Sequence, residues 1–363
     1  MTRASKSCAE DRTDLPSTDD ADRETGRVQG GVAHAAPRYR PRTIEAMNAQ
    51  HRSVPSASRP WREAWHDALY GPDGLYVLDP PHAHFSTATS PGLVTVLADV
   101  TVALMRRERL GRFVDMAAGG GELASAVVDL APDIAVTCVE VRPRPIDVDS
   151  RVTWLRSPGG AALPAELHSL SGTLVLAHEW LDNVPCAIAE RTGSALHEVC
   201  VGPDGTESPG ALVVGEQAAW AQRWWPQGGR VEIGAARDDA WADLLSRIED
   251  GLAVAVDYGH LRQARPPTGT LTAYRRGEVV TPVPDGSCDL TAHVAVDSLE
   301  HDRLLTQVDL IRELGLVPGP ADHDLARTDP AGYLQTLAHR SAVAAMSDPR
   351  GLGGFWWVLA RRP

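Results

Sequence analysis

Arg112-Phe-Val-Asp115-Met-Ala117-Ala-Gly119-Gly120-Gly121-Glu122-Leu123 decides the fold. A short apolar run, Arg112–Asp115, meets a glycine turn, and Glu122–Leu130 continues at helical spacing. Strand, tight turn and helix in that order start a βα unit. Glycines let the backbone turn sharply and approach a ligand closely. The pattern is D-x-A-x-G-x-G, not the GxGxxG that cradles a pyrophosphate at a helix N-terminus. Asp115 stands two residues ahead of the loop. Ala117 takes the place of a first glycine, and its methyl demands a negative φ or a slightly loosened turn.

Working outward, further apolar runs repeat the unit: Ala135–Glu140, Val152–Leu155, Gly172–Ala177 and Leu252–Asp257. Runs that are apolar throughout suggest a parallel sheet covered on both faces. The expected fold is α/β, a doubly wound, mostly parallel sheet. Acids stand at or near several strand ends, the edge where open α/β sheets bind ligands. Glu140, 19 residues beyond Gly121, is placed to accept hydrogen bonds from both hydroxyls of a ribose. Dinucleotide-binding proteins use the same device, so Glu140 points to a nucleoside without naming it. Asp115 and the loop sharpen the choice. A carboxylate suits the ammonium of S-adenosyl-L-methionine, which has no pyrophosphate. Gly119→Val is expected to abolish binding of that donor by filling the space its adenosine needs.

After the fourth run comes His178-Glu-Trp-Leu-Asp182-Asn-Val-Pro185, and Asp257-Tyr258-Gly259 ends the fifth. On a helical turn Glu179 and Asp182 share a face. Two carboxylates there suit a cationic acceptor, because a guanidinium offers a planar fork of donors. They equally suit a plain helix start, where acids favour the macrodipole. His178 fits a packed histidine, and Asp257–Gly259 fits a plain turn.

The rest of the chain sets boundaries. Residues 1–57 are rich in Ser, Arg, Asp, Pro and Ala without sustained periodicity, the composition of a disordered tail. A domain is expected over 58–363, opening with a helix that Ser58 caps and that carries Trp61, Trp65 and Leu69 on one face. About 75 residues separate the fourth and fifth runs, more than one crossover helix needs. An insert over about 186–250 is therefore expected, with a hairpin at 187–201 and helices near 218–225 and 238–249. Turns dominate 260–297. Helices are expected near 298–314 and 328–345, and a closing strand at 355–359.

Composition excludes several classes. The 363 residues are 43% hydrophobic and carry a formal net charge of −13, with no basic stripe. Nucleic acid is a poor partner for such a surface, whereas a basic peptide suits it. No stretch approaches about 18 consecutive apolar residues, which argues against a membrane span. The five cysteines form no CxxC pair, and neither a disulfide framework, a zinc ribbon nor a metal site is expected. The N-terminus shows no signal core, and its acids argue against a transit peptide. The expected compartment is the cytoplasm. Oligomeric state cannot be read from the chain.

Six ordered segments resemble the MidA-like methyltransferases, which include the arginine methyltransferases of mitochondrial complex I assembly. They are His84–Ser90, Asp115–Leu123, His178–Pro185, Gly229-Arg-Val-Glu232-Ile233, Asp257-Tyr258-Gly259, and Gly269-Thr-Leu271 followed by Pro284–Val294. The last resembles the family's G-T-L … P-G-x-x-D-L-T-A-H-V and is the most specific. The resemblance implies a class I (Rossmann-like) methyltransferase fold with an inserted, partly helical substrate region. It also implies S-adenosyl-L-methionine as donor and an arginine on a protein as acceptor. Donor-binding candidates are Thr87, Ser90, Asp115, Ala117, Gly119, Gly121, Glu140 and His178. Catalytic candidates are Glu179, Asp182, Asp257 and His293, with Asp289 close by; the residues leave His293 open between a base and a structural hydrogen-bonder. The chain departs from the family pattern at His178 (Asn), Ala117 (Gly) and Thr89 (Glu). A non-catalytic assembly factor and a small-molecule methyltransferase are the alternatives.

Overall fold

The computed structural model describes residues 58–78 and 88–363. The tail expected over 1–57 and the candidate Thr87 lie outside the described residues.

In chain order the elements are β1 (Arg59–Pro60), α1 (Trp61–Tyr70), α2 (Leu75–Leu78), α3 (Val94–Glu108), β2 (Arg112–Met116), α4 (Glu122–Leu130), β3 (Ala135–Glu140), β4 (Thr153–Arg156) and β5 (Thr173–His178). Next come β6 (Ala187–Thr192), β7 (Ala195–Val201), β8 (Glu207–Leu212), α5 (Gly215–Trp224), β9 (Arg230–Ile233), α6 (Ala235–Ser246) and β10 (Gly251–Asp257). The chain ends through β11 (Thr272–Arg275), β12 (Glu278–Val280), β13 (Asp289–Thr291), β14 (Arg303–Thr306), α7 (Gln307–Glu313), α8 (Leu325–Thr328), α9 (Pro330–Met346) and β15 (Trp356–Arg362).

The principal sheet has seven strands in the order β14-β15-β10-β5-β2-β3-β4. From β10 to β4 neighbours are parallel, while β15 runs antiparallel to both β10 and β14. The sheet is therefore mixed. Every residue of β5 and β10 is buried, because these central strands are covered on both faces. Alternate side chains enter two separate cores. Phe113, Leu174, Leu176 and Val254 pack with α3, α4 and α9. Val114, Val175, Ala177 and Ala253 pack with Trp241 and Leu244 of α6.

Between β5 and β10 the chain builds α5, α6 and the strands β6 to β9; β1 joins these strands in an antiparallel sheet of order β1-β7-β6-β9 with β8 also on β7. Trp61, Trp65 and Leu69 of α1 pack against that sheet and against Leu290 and Ala292. Their stripe is core packing.

Several expectations give way. Ser58 does not cap α1: Pro60 holds the N-cap, and the Ser58 hydroxyl meets that of Ser208 at 3.0 Å. The helix expected over 298–314 splits, because Arg303–Thr306 pairs with β15 and only 307–313 coils. Pairing at a sheet edge overrides a short, ambiguous apolar run. The turn-rich stretch contains a small antiparallel sheet, β12-β11-β13, whose three- and four-residue strands are too short to show a period.

Candidate active site

At the carboxyl edge of the parallel strands lies one open cleft of about 1060 Å³, mouth included. The glycine turn forms one side. Ala117, Gly119 and Gly121 have φ of 56°, 59° and 81°. Of the two expectations for Ala117, a negative φ or a loosened turn, the negative φ does not hold: the turn after β2 takes a left-handed residue there, and the alanine is strained into it. A Cβ at Gly119 would meet only Glu122 Oε2, at 3.6 Å, so this glycine faces open space.

Glu140 reaches across from β3. It is 5% exposed, and its Oε2 accepts the Gly119 N–H at 3.0 Å while Oε1 accepts the Arg142 N–H at 3.1 Å. Asp115 lies beneath at 3% exposure with Oδ2 unpartnered. Burial, then the charges of Glu122 and Glu140, push its carboxyl up to about 8. Three crowded acids with an orphaned oxygen fit a cationic ligand, and a turn with room at Gly119 fits a bulky one. S-adenosyl-L-methionine meets both requirements: Glu140 would hold its sugar hydroxyls, Asp115 its ammonium, and the turn would lie against its body.

The lining continues at the end of β5, the parallel neighbour of β2. His178 and Glu179 line it, with His178 Nδ1 3.3 Å from Glu179 Oε1. Glu179 has φ 51°, a second strained residue in the wall. That conformation ends the strand, and a single 3-10 turn, Leu181–Asn183, follows. The two acids consequently part company. Glu179 lines the cleft, whereas Asp182 turns inward, 2% exposed, where Tyr258 and Thr291 hydroxyls donate to its Oδ2. The expectation that they share a face is corrected by this geometry.

Asp257 and His293 also stand behind the wall. Asp257 is 1% exposed and accepts the Leu181 N–H at 3.1 Å. Burial and the Asp182 and Glu179 charges hold its proton well above the usual carboxylate range. His293 is half-buried, with its ring edge-on to Tyr258 at 5.1 Å, and burial lowers its basicity. Gly121 caps α4 beside Val148 and Trp154, and the Ser90 carbonyl opens the turn into α3. Asp115, Ala117, Gly119, Glu140, His178 and Glu179 therefore line the cleft; Gly121, Ser90, Asp182, Asp257 and His293 do not.

The late motif supports this wall. Asp289 accepts the Tyr76 hydroxyl at 2.6 Å, Thr291 donates to Asp182 at 2.8 Å, and the His293 N–H donates to Thr270 Oγ1 at 2.9 Å. Glu232 accepts N–H donors from Thr270 and Leu271 and the Thr270 hydroxyl. In Asp257-Tyr258-Gly259, a Cβ on the glycine would lie 2.4 Å from the Val294 carbonyl, so only glycine fits.

Sequence reasoning missed Tyr70, Tyr76, Ser157, Gly159, Gly160, Trp180 and Asn183, all in the lining. The Gly159-Gly160 pair, just past a strand, was a readable signal. It also missed Arg237, 2% exposed in α6, whose guanidinium donates to the carbonyls of Val184 (3.0 Å), His293 (2.9 Å) and Asp182 (2.7 Å).

Comparison with known proteins names this architecture. The chain is similar to a Burkholderia thailandensis protein of the COG1565 superfamily solved with S-adenosyl-homocysteine bound: TM-score 0.66, 20% identity, covering 84% of this chain and 88% of that one. A native structure of a COG1565 superfamily protein from the same organism gives TM-score 0.64 and 22% identity over 84% and 87%. At these identities the likeness establishes the α/β methyltransferase fold. No curated protein matches the sequence. A family model for S-adenosyl-L-methionine-dependent methyltransferases matches residues 96–308. That span exceeds half the chain and runs from α3 through the glycine turn to the start of α7, so the protein belongs to this methyltransferase family, the MidA-like group its motifs resemble.

Proposed function

We propose that the protein transfers a methyl group from S-adenosyl-L-methionine to the guanidino nitrogen of an arginine in a partner protein, on a class I, Rossmann-like, doubly wound sheet. One observation carries the reading. The glycine turn and Glu140 meet Glu179 across a single cleft whose lining holds four acids, Asp115, Glu122, Glu140 and Glu179. Such a cleft favours cations on both sides.

When bound, the donor supplies a methyl on a sulfonium, open to in-line displacement. The chain's own work is positioning and charge. Asp115, Ala117, Gly119 and Glu140 hold the donor, and His178 closes that end. Glu179 accepts hydrogen bonds from the incoming guanidinium. Asp182 and Asp257 hold the loop behind Glu179: Asp182 through Tyr258 and Thr291, Asp257 through the Leu181 amide. His293 is a structural hydrogen-bonder of the same wall. We place the domain at 58–363 with its insert at 186–250 and read the compartment as cytoplasmic. The free thiols of Cys138, Cys186, Cys200 and Cys288 support a reducing one. No helix among the described residues is long and apolar enough to cross a membrane.

The test has two parts. Calorimetry with S-adenosyl-L-methionine is expected to show saturable binding; no heat at millimolar donor defeats the reading and favours a non-catalytic factor. Labelled methyl is then offered with lysate, and the protein fraction is hydrolysed to amino acids. Label in methylarginine is expected. Label confined to small molecules makes the protein a small-molecule methyltransferase.

A further inference from the structure

One stretch of the cleft wall is aromatic. Tyr70 ends α1, Tyr76 lies in α2 and Trp180 follows β5; all three line the same cleft as Glu179. Their polar tips are already engaged. The Tyr70 hydroxyl donates to the Asn183 carbonyl at 3.2 Å, the Tyr76 hydroxyl to Asp289 at 2.6 Å, and Trp180 Nε1 to the Gly160 carbonyl at 3.1 Å. With its tip tied down, each ring is fixed and offers the cavity aromatic surface. The rings of Tyr70 and Tyr76 stand 5.6 Å apart, inclined at 54°. Gly159 makes the fit at Tyr70: a Cβ there would lie 2.6 Å from the ring.

Charge completes the picture. Behind the aromatic wall lie the buried carboxyls of Asp182, Asp257 and Asp289. Arg237, whose charge acts on Asp182 and Asp257, donates its guanidinium to three backbone carbonyls. Burial, with the charges of Asp182 and Glu179, pushes Asp289 up to about 8. Aromatic faces that share a cleft with the Glu179 carboxylate form the chemistry that recognises a delocalised organic cation.

We infer that Tyr70, Tyr76 and Trp180 are specificity-determining residues that receive the acceptor's planar cation, with Glu179 as its counter-ion. The inference rests on the proposed arginine reading and adds the residues that select for it.

Methylguanidinium and its neutral analogue methylurea are titrated into the full chain, with and without S-adenosyl-homocysteine, by calorimetry at fixed ionic strength. Methylguanidinium is expected to bind about tenfold more tightly than methylurea. Tyr70→Leu is expected to weaken the cation about fivefold or more, while Tyr70→Phe, which keeps the ring, stays within about twofold. Glu179→Gln keeps the shape and lowers cation affinity without changing methylurea, so it decides the matter if Tyr70→Leu does not fold. Equal binding of the two probes, no cation binding, or a folded Tyr70→Leu that binds like the parent overturns the proposal. The S-adenosyl-homocysteine titration reports separately on the donor side: a normal result there with a failed cation arm sinks only the aromatic receptacle.

Discussion

The Glu140 carboxylate accepts the backbone N–H of Gly119 at 3.0 Å, joining the end of one strand to the turn after its neighbour. The bond fixes the turn; with Oε1 taken by the N–H and Nε of Arg142, a lone pair of Oε2 is left for a ligand's hydroxyl. Hydrogen bonds to a charged group contribute about 1.5–3 kcal/mol each. Glu140→Ala is therefore expected to weaken S-adenosyl-L-methionine by roughly 10- to 100-fold. Calorimetry on the folded variant measures it; an unchanged Kd would remove Glu140 from the donor site.

Ala117 and Gly119 both sit in the left-handed region, but only one has the residue type for it. A left-handed alanine costs roughly 1–2 kcal/mol, part of which the greater freedom of an unfolded glycine offsets. Ala117→Gly is expected to raise stability by up to about 1 kcal/mol, read as a higher Tm. At Gly119 the same geometry works in reverse. Gly119→Val adds a β-branched side chain at φ 59° and fills the open side of the cleft. The expected outcome is loss of donor binding in a protein that still melts cooperatively. Retained affinity would contradict the placement.

How much of this was legible in sequence divides along physical lines. The central strands β5 and β10 were readable because strands buried on both faces are apolar throughout, as Leu174–Ala177 and Leu252–Val256 are. The glycine turn and Glu140 were readable because backbone conformation restricts the first and strand-end position marks the second. The split between Glu179 and Asp182 was not, since spacing alone suggests a helical turn and the left-handed Glu179 breaks it. Tyr70, Tyr76 and Arg237 stayed hidden for another reason. They reach the site from α1, α2 and α6, distant in sequence, and nothing local distinguishes them from packing residues.

Asp115 ties the donor site to pH. Its carboxyl is raised to about 8 in the folded chain, against 3.8 as the ordinary value. Between those values the folded state holds a proton that the unfolded state has released, so stability falls as pH rises through this window. Below about 4 both states are protonated, and above about 8 both are charged, so the contribution is flat at either end. The limiting slope for one such group is about 1.4 kcal/mol per pH unit. The Tm of Asp115→Asn is expected to fall less steeply than the parent's from pH 5 to 8. Parallel Tm curves would show that Asp115 titrates normally. A cationic ligand should lessen the parent's loss, because it favours the charged carboxylate.

Arg237 fastens the acceptor side from behind. Its guanidinium joins the turn after β5, through Asp182 and Val184, to the segment carrying His293, and it lies over the Trp65 ring at 5.7 Å. Three segments distant in sequence thus converge on one buried cation. Arg237→Met keeps much of the volume but strips three carbonyls of their donor. Each unsatisfied buried group costs about 1–3 kcal/mol, so a loss of roughly 3 kcal/mol or more is expected in denaturant unfolding. Arg237→Lys keeps the charge yet cannot span three carbonyls in the same planar fork, and it should fall between the two. The donor side has its own anchors in Gly119 and Glu140. In whatever fraction of Arg237→Lys remains folded, S-adenosyl-L-methionine should bind within about threefold of the parent while methylguanidinium weakens. Equal losses for both ligands would mean that Arg237 holds up the whole cleft and not its acceptor wall.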